Sequence, residues 1–195
     1  ILELNSETDF VSRNEKFQTL ADEILNLLKD KKPADLDELL SLTMPSGTVK
    51  ENLDNLSGTV GEKMGIKRIA VVSGPTVAAY SHLGGRIGVL VVLDQADKTE
   101  LAQEVAMQVA AANPKYLKPE EVSSVELDKE KEIYRAQLLE EGKPEAMVDK
   151  IVLGKVSKYY GEVCLLEQEF IKDDKKKVKD ILAGVGVIQF IRYNL

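Results

Sequence analysis

The run Arg86-Ile87-Gly88-Val89-Leu90-Val91-Val92-Leu93 constrains this chain more than any other segment. It is of strand length and almost uninterruptedly apolar, so it predicts a strand well inside a sheet. Such a strand needs partners. Thr76 to His82 has the same β-branched and aromatic character, and Gly84-Gly85 between the two runs suits a tight turn with positive φ, so a hairpin is predicted there. Gly74-Pro75 separates this pair from Ile66 to Ser73, which reads as a further strand. Val187 to Leu195 reads as a closing strand, and Ile1 to Leu4 as the end of an opening one.

Between the strands the apolar period changes to that of helices. Phe17, Leu20, Ala21, Ile24, Leu27 and Leu28 form one stripe over roughly four turns. Ser12-Arg13-Asn14-Glu15 has the form of a capping box, so that helix is predicted to start at about Arg13 and to end at Pro33. A short helix around Asp35 to Leu42 follows, then a helix over Val49 to Lys63 weakened by Gly58 and Gly61. Asp97 is a candidate cap for a helix carrying Leu101, Ala102, Val105, Ala106, Val109 and Ala110. Ser124 to Glu140 and Pro144 to Tyr160, joined by Glu141-Gly142-Lys143, predict an antiparallel helical hairpin with a glycine stop and a proline start. A last short helix is expected near Lys176 to Leu182.

Set side by side, the two parts of the chain repeat one pattern. The expected fold is α+β: duplicated β-β-α(n)-β units with small antiparallel sheets and an inserted antiparallel helical hairpin. The first subdomain, 1–74, lacks its opening strand, and the second, 75–195, carries the hairpin at about 123–160. On this reading the chain is a fragment, with Ile1 to Asn5 left at a raw sheet edge.

Composition narrows the function classes. In 195 residues, 44% hydrophobic and 30% charged, there is room for one substantial core or two small ones. No apolar run approaches the ~20 residues that span a bilayer, so no membrane role is expected. A net charge of −7 opposes attachment to a phosphate backbone, so direct nucleic-acid binding is not expected either. Lys172, Lys175, Lys176, Lys177 and Lys179 are interleaved with Asp173 and Asp174 and read as a solvated face. The single cysteine, Cys164, sits in an apolar run and reads as a buried hydrophobe in a reducing, cytoplasmic compartment. His82, the single histidine, has no nearby Cys or second His to form a metal site. The glycines at 84, 85 and 88 precede a strand, whereas a phosphate loop would open a helix. No carboxylate pair stands out as acid and base, so nothing supports an enzyme or a cofactor. Tyr134, Tyr159 and Tyr160 on the helical hairpin can anchor an interface or stitch the hairpin to itself.

The stretch N-S-E-T-D-F-V-S-R-N-E, 5 to 15, places Phe10 among polar residues. Two readings stay open. In one, Val11 takes the staple position before Ser12 and Phe10 folds back onto the sheet. In the other, Asp9 and Phe10 form a wedge presented on a rigid loop.

E-L-N-S-E-T-D-F-V-S-R-N-E-K-F closely resembles the signature of the elongation factor Ts family, the guanine nucleotide exchange factors for the translation GTPase elongation factor Tu. Y-S-H-L-G-G-R-I-G-V-L-V at 80–91, A-M-Q-V-A-A-A-N-P at 106–114, E-G-K-P at 141–144 and L-L-E-Q-E-F-I-K-D-D at 165–174 resemble the same family in the same order. The resemblance implies a duplicated α+β core preceded by a small helical domain that this sequence does not contain. It implies a factor of protein biosynthesis whose Asp9-Phe10 pair enters the partner's GTPase domain beside its magnesium site and helps dislodge Mg²⁺ and GDP, with Thr8 and Val11 expected at the same partner contact. His82, Ile87 and Gly88 match positions of the same contact region, and the second half of the core is expected to touch another domain of the partner. Gln108 stands where the family usually has histidine in A-M-H-V-A-A, and is expected at the partner contact. The alternative is a non-catalytic scaffold that forms a homodimer through the helical hairpin.

Overall fold

The chain, described over residues 1–195 by a computed structural model, opens with strand β1 (Leu2–Ser6), which pairs antiparallel with β4 (Met64–Ile69). Between them lie the single turn α1 (Asp9–Ser12), α2 (Glu15–Lys31), α3 (Leu36–Ser41), the short strands β2 (Thr43–Met44) and β3 (Gly47–Thr48), and α4 (Val49–Val60). The stripe on α2 buries Leu20, Ile24 and Leu28 against Leu39, Met44, Val49 and Leu53. α4 is firmer than its glycines imply. Thr48 and Glu51 form a reciprocal capping box at its start, and Gly61 ends it in the left-handed conformation at φ +78°.

Glu3 is nearly fully buried in this first sheet. Arg68 and Lys67 of β4 pair with its carboxylate, Lys67 Nζ at 3.0 Å. Burial alone would push the Glu3 carboxyl up, but hydrogen bonds from Arg68, Lys67 and Asn5 outweigh it and hold the group below the usual glutamate range. The Arg68 guanidinium also lies 4.0 Å from the centre of the Tyr193 ring, a cation–π contact.

The second half begins with β5 (Thr76–His82) and β6 (Ile87–Leu93), paired antiparallel as a hairpin, and β9 (Val187–Asn194) completes a three-stranded sheet on the other side of β6. Val89, Val91 and Leu93 pack under α5 (Thr99–Ala112) with Val105, Ala106 and Val109. α6 (Ser124–Glu140) and α7 (Glu145–Val163) form the helical hairpin, with Gly142 at φ +73° in its turn. A seam of Val148, Val152 and Val156 meets Leu138. Then come β7 (Glu169–Phe170), β8 (Asp173–Lys177) and α8 (Val178–Leu182). No helix is long and apolar enough to cross a membrane.

The fold is α+β with small antiparallel sheets. With α1 and α3 set aside, one element order recurs: strand, helix, two-stranded hairpin, helix, strand. β1, α2, β2-β3, α4 and β4 correspond to β6, α5, β7-β8, α8 and β9. β5 has no counterpart in the first half, and the α6–α7 hairpin is inserted between α5 and β7. By contacts the chain divides into Ile1–Val72 with Tyr193–Leu195, and Ser73–Arg192.

Several local expectations are corrected. Asp97 does not cap α5; it takes a left-handed φ of +59°, and the Lys98 N–H bonds instead to Thr76 Oγ1 at 3.3 Å. The strand expected over Ile66 to Ser73 starts earlier and stops at Ile69. Pro144 is the residue before α7 and not its first. Asp173–Lys177 is a strand, so the last helix starts at Val178 and not near Lys176; the lysines remain on a solvated face, where Lys172, Lys176, Lys177 and Lys179 each pair with a carboxylate. Glu167 takes both Lys177 and Lys179, at 2.7 and 2.8 Å, and these hold its carboxyl below the ordinary range.

Candidate partner-binding surface

Residues 5–15 do not run straight from strand into α2. Thr8 is extended at φ −128°, ψ 157°, and Asp9–Ser12 then make one helical turn of their own. The long helix starts at Glu15 and is capped by Asn14, whose side chain accepts from the Lys16 N–H at 2.9 Å. The expected start at Arg13 with Ser12 as cap is therefore corrected: the Ser12 hydroxyl donates back to the Asp9 carbonyl within α1, at 3.0 Å. Asn14 competes successfully because it is already extended, which a cap residue requires.

On a helical turn consecutive side chains diverge by about 100°. Val11 points inward and is 5% exposed, whereas Phe10 points out and is 85% exposed. Phe10 does not fold back onto the sheet. Beside it, the Asp9 carboxylate takes a hydrogen bond from Arg13 Nη2 at 3.0 Å. The approach to the turn is fastened at Thr8, whose N–H and hydroxyl both donate to the Glu62 carboxylate, at 3.1 and 2.7 Å. Glu62 carries no signal in the sequence, being one acidic residue among many after a helix-ending glycine.

In the second unit the end of the β5–β6 hairpin gathers His82, Ile87 and Gly88. His82 lies directly opposite Ile87, and Ser81 opposite Gly88. His82 Nδ1 is 3.0 Å from the Tyr80 hydroxyl, with the two rings stacked, so the imidazole is fixed by its neighbour. The turn takes Leu83, Gly84 and Gly85 through positive φ of 52°, 65° and 92°. Leu83 is 65% exposed at its tip, an apolar residue that sequence reasoning passes over. Its signal is nevertheless present: a leucine beside two turn glycines has no strand face to hide on.

Gln108 is elsewhere and of another kind. It is fully buried on α5. Its Nε2 donates to Gln168 Oε1 at 3.2 Å and to the Glu169 carbonyl at 3.1 Å, while its Oε1 accepts from the Ile171 N–H at 2.9 Å. The expectation that it meets a partner is corrected: the inward face of α5 is wide enough to include position 108, and the amide satisfies the β7–β8 backbone.

At the base of the helical hairpin, Glu126 accepts hydrogen bonds from the hydroxyls of Tyr116 and Tyr159. These hold its carboxyl below the usual range, Tyr116 first, and Tyr159 is pushed up by burial and by that bond. Tyr159 thus stitches its own hairpin. Cys164 is buried in the same cluster, and burial pushes its thiol up to about 11.

The structure thus offers one exposed ring on a tethered turn, and one strand-hairpin end with a fixed imidazole and an exposed leucine. Compared with known families, the sequence matches a family model described as Elongation factor TS over residues 7–195.

Proposed function

Because the chain belongs to the elongation factor Ts family, the nucleotide exchange factors of elongation factor Tu in translation elongation, we propose that it promotes release of Mg-GDP from that GTPase through the Asp9-Phe10 turn. The observation that carries this reading is the 85% exposure of Phe10 on a turn whose neighbours are buried or hydrogen-bonded. A single exposed apolar side chain is ordinary on a protein surface; what supports a contact role for this one is that it is aromatic and stands on a turn tethered at Thr8. Asp9, ordered by Arg13, brings a carboxylate to the same place, beside the partner's magnesium site.

One ring cannot do all of the work. Burying a phenylalanine contributes about 1.5–3 kcal/mol, or roughly ten- to a hundredfold in an equilibrium. The rest comes from further surface, for which His82, Ile87, Gly88 and the exposed Leu83 are the candidates. Thr8 and Val11 act behind the wedge, one as tether and one as anchor. Exchange then follows from preferential binding to the nucleotide-free partner, and by reciprocity nucleotide rebinding releases the factor. No covalent step and no cofactor of its own enters, and the place of work is the cytoplasm.

The test is stopped-flow release of a fluorescent GDP analogue from elongation factor Tu at increasing concentrations of this chain. A saturable acceleration is expected; no acceleration, with complex formation intact, would refute it. A second reading has its own observation. Val125, Met147 and Leu153 on the hairpin are more than half exposed, which favours self-association through it. Light scattering with and without the hairpin separates the two.

A further inference from the structure

We infer that Glu62 is the positioning residue that aims the Phe10 turn, an inference that rests on the exchange-factor reading above. α1 has four residues, too few to hold itself by its own hydrogen bonds. Phe10 is largely exposed, and Val11 is the one buried side chain of the turn. The direction of the ring is therefore set where the turn begins, at Thr8.

Thr8 occupies the cap position of α1, where a threonine hydroxyl ordinarily accepts from its own helix. It does not do so here. The hydroxyl donates instead to Glu62 Oε1 at 2.7 Å, and the Thr8 N–H donates to Glu62 Oε2 at 3.1 Å, a two-point clamp across 54 residues of sequence. Such bonds to an ionised carboxylate are stronger than neutral ones and fix orientation as well as distance.

The clamp is itself braced. Glu62 follows the left-handed Gly61 that ends α4, and its carbonyl accepts from Ser57 Oγ at 2.6 Å. The adjacent Lys63 N–H donates to Glu7 Oε2 at 3.3 Å, and Ser6 Oγ donates to the Thr8 carbonyl at 2.9 Å. Glu7 and Thr8 are thus both tied to the α4–β4 corner, and Ser6 closes the segment on itself. A wedge fixed before contact avoids the ordering entropy that a loose loop would lose on insertion.

Two measurements on the full chain test this. The first is the GDP-release assay with Glu62→Ala, Thr8→Val, Glu62→Gln and, as reference, Phe10→Ala. Glu62→Ala and Thr8→Val should lower the limiting release rate about three- to tenfold and move the half-saturating concentration by less than about twofold. Glu62→Gln should recover most of the rate, since its Oε1 can accept from the Thr8 N–H and its Nε2 can donate to the hydroxyl. The second uses the absence of tryptophan from this chain. Phe10→Trp places a unique fluorophore on the turn, and adding Glu62→Ala should increase fast local depolarisation in the free protein with the melting midpoint unchanged. If Phe10→Ala slows release but Glu62→Ala does not, or if Glu62→Gln is no better than Glu62→Ala, the positioning role is wrong and the exchange reading stands. If Phe10→Ala itself has no effect, Phe10 leaves the mechanism and Glu62 has nothing to aim, while unchanged depolarisation overturns the tether independently of any exchange result.

Discussion

Replacing Phe10 with alanine should slow nucleotide release without disturbing this protein's own fold. The ring is 85% exposed, so that fraction of its transfer free energy is still to be gained on contact. Taking about 1.5–3 kcal/mol for complete burial, the ring can contribute about 1.3–2.5 kcal/mol. At roughly 1.4 kcal/mol per factor of ten, Phe10→Ala should lower the limiting GDP-release rate about tenfold to seventyfold. On the proposed exchange reading the loss should appear in the limiting rate, since the ring would favour the partner's nucleotide-free shape over its GDP-bound shape. The melting midpoint should hardly move, since Val11 and not Phe10 packs into the interior. The assay is stopped-flow fluorescence at saturating factor, with calorimetry of the free variant alongside. An unchanged limiting rate with equal complex formation would remove Phe10 from the mechanism. A large drop in the melting midpoint would show that the ring belongs to the protein's own interior.

Gln108→Leu should destabilise the second unit by about 2–4 kcal/mol, because it leaves the Ile171 N–H and the Gln168 amide oxygen without partners in a buried site; urea unfolding measures this, and a loss under about 1 kcal/mol would contradict the network. Cys164, buried and with its thiol near 11, should resist iodoacetamide at neutral pH and react only as the chain unfolds; rapid native labelling would count against it. Because the Glu3 carboxyl is held below its unfolded value, its ion pairs stabilise the fold above about pH 4.3 and that contribution disappears as pH falls through the lower folded value. The melting midpoint should therefore drop on acidification below that pH, and Glu3→Gln should flatten the drop while lowering stability at neutral pH.

What is legible in the sequence is whatever depends on local pattern. The apolar run at 87–93, the glycines at 84 and 85, and the three- and four-residue spacing on α2 and α5 each specify an element through steric and hydrophobic rules that act within a few residues. Those rules are enough for the β5–β6 pairing, the helical hairpin and the duplicated order. Where two local signals compete, pattern alone does not choose between them: Ser12 and Asn14 both have the chemistry of a cap, and the backbone conformation selects Asn14. The two-residue strands β2, β3 and β7 leave no trace in the pattern because they are too short to show a period.

The stretch 5–15 is equally recognisable as a string of residues, and its place in the order of motifs points to a family that the match over 7–195 bears out. Its geometry is not legible in that way. Whether Phe10 turns in or out depends on one extra turn of helix, and whether Gln108 meets solvent depends on a strand pair arriving from about 60 residues later in the chain. Glu62 is the plainest case: 54 residues separate it from Thr8, and only the pairing of β1 with β4 brings them within hydrogen-bond reach. Local chemistry decides which elements form, but long-range closure decides which side chains meet.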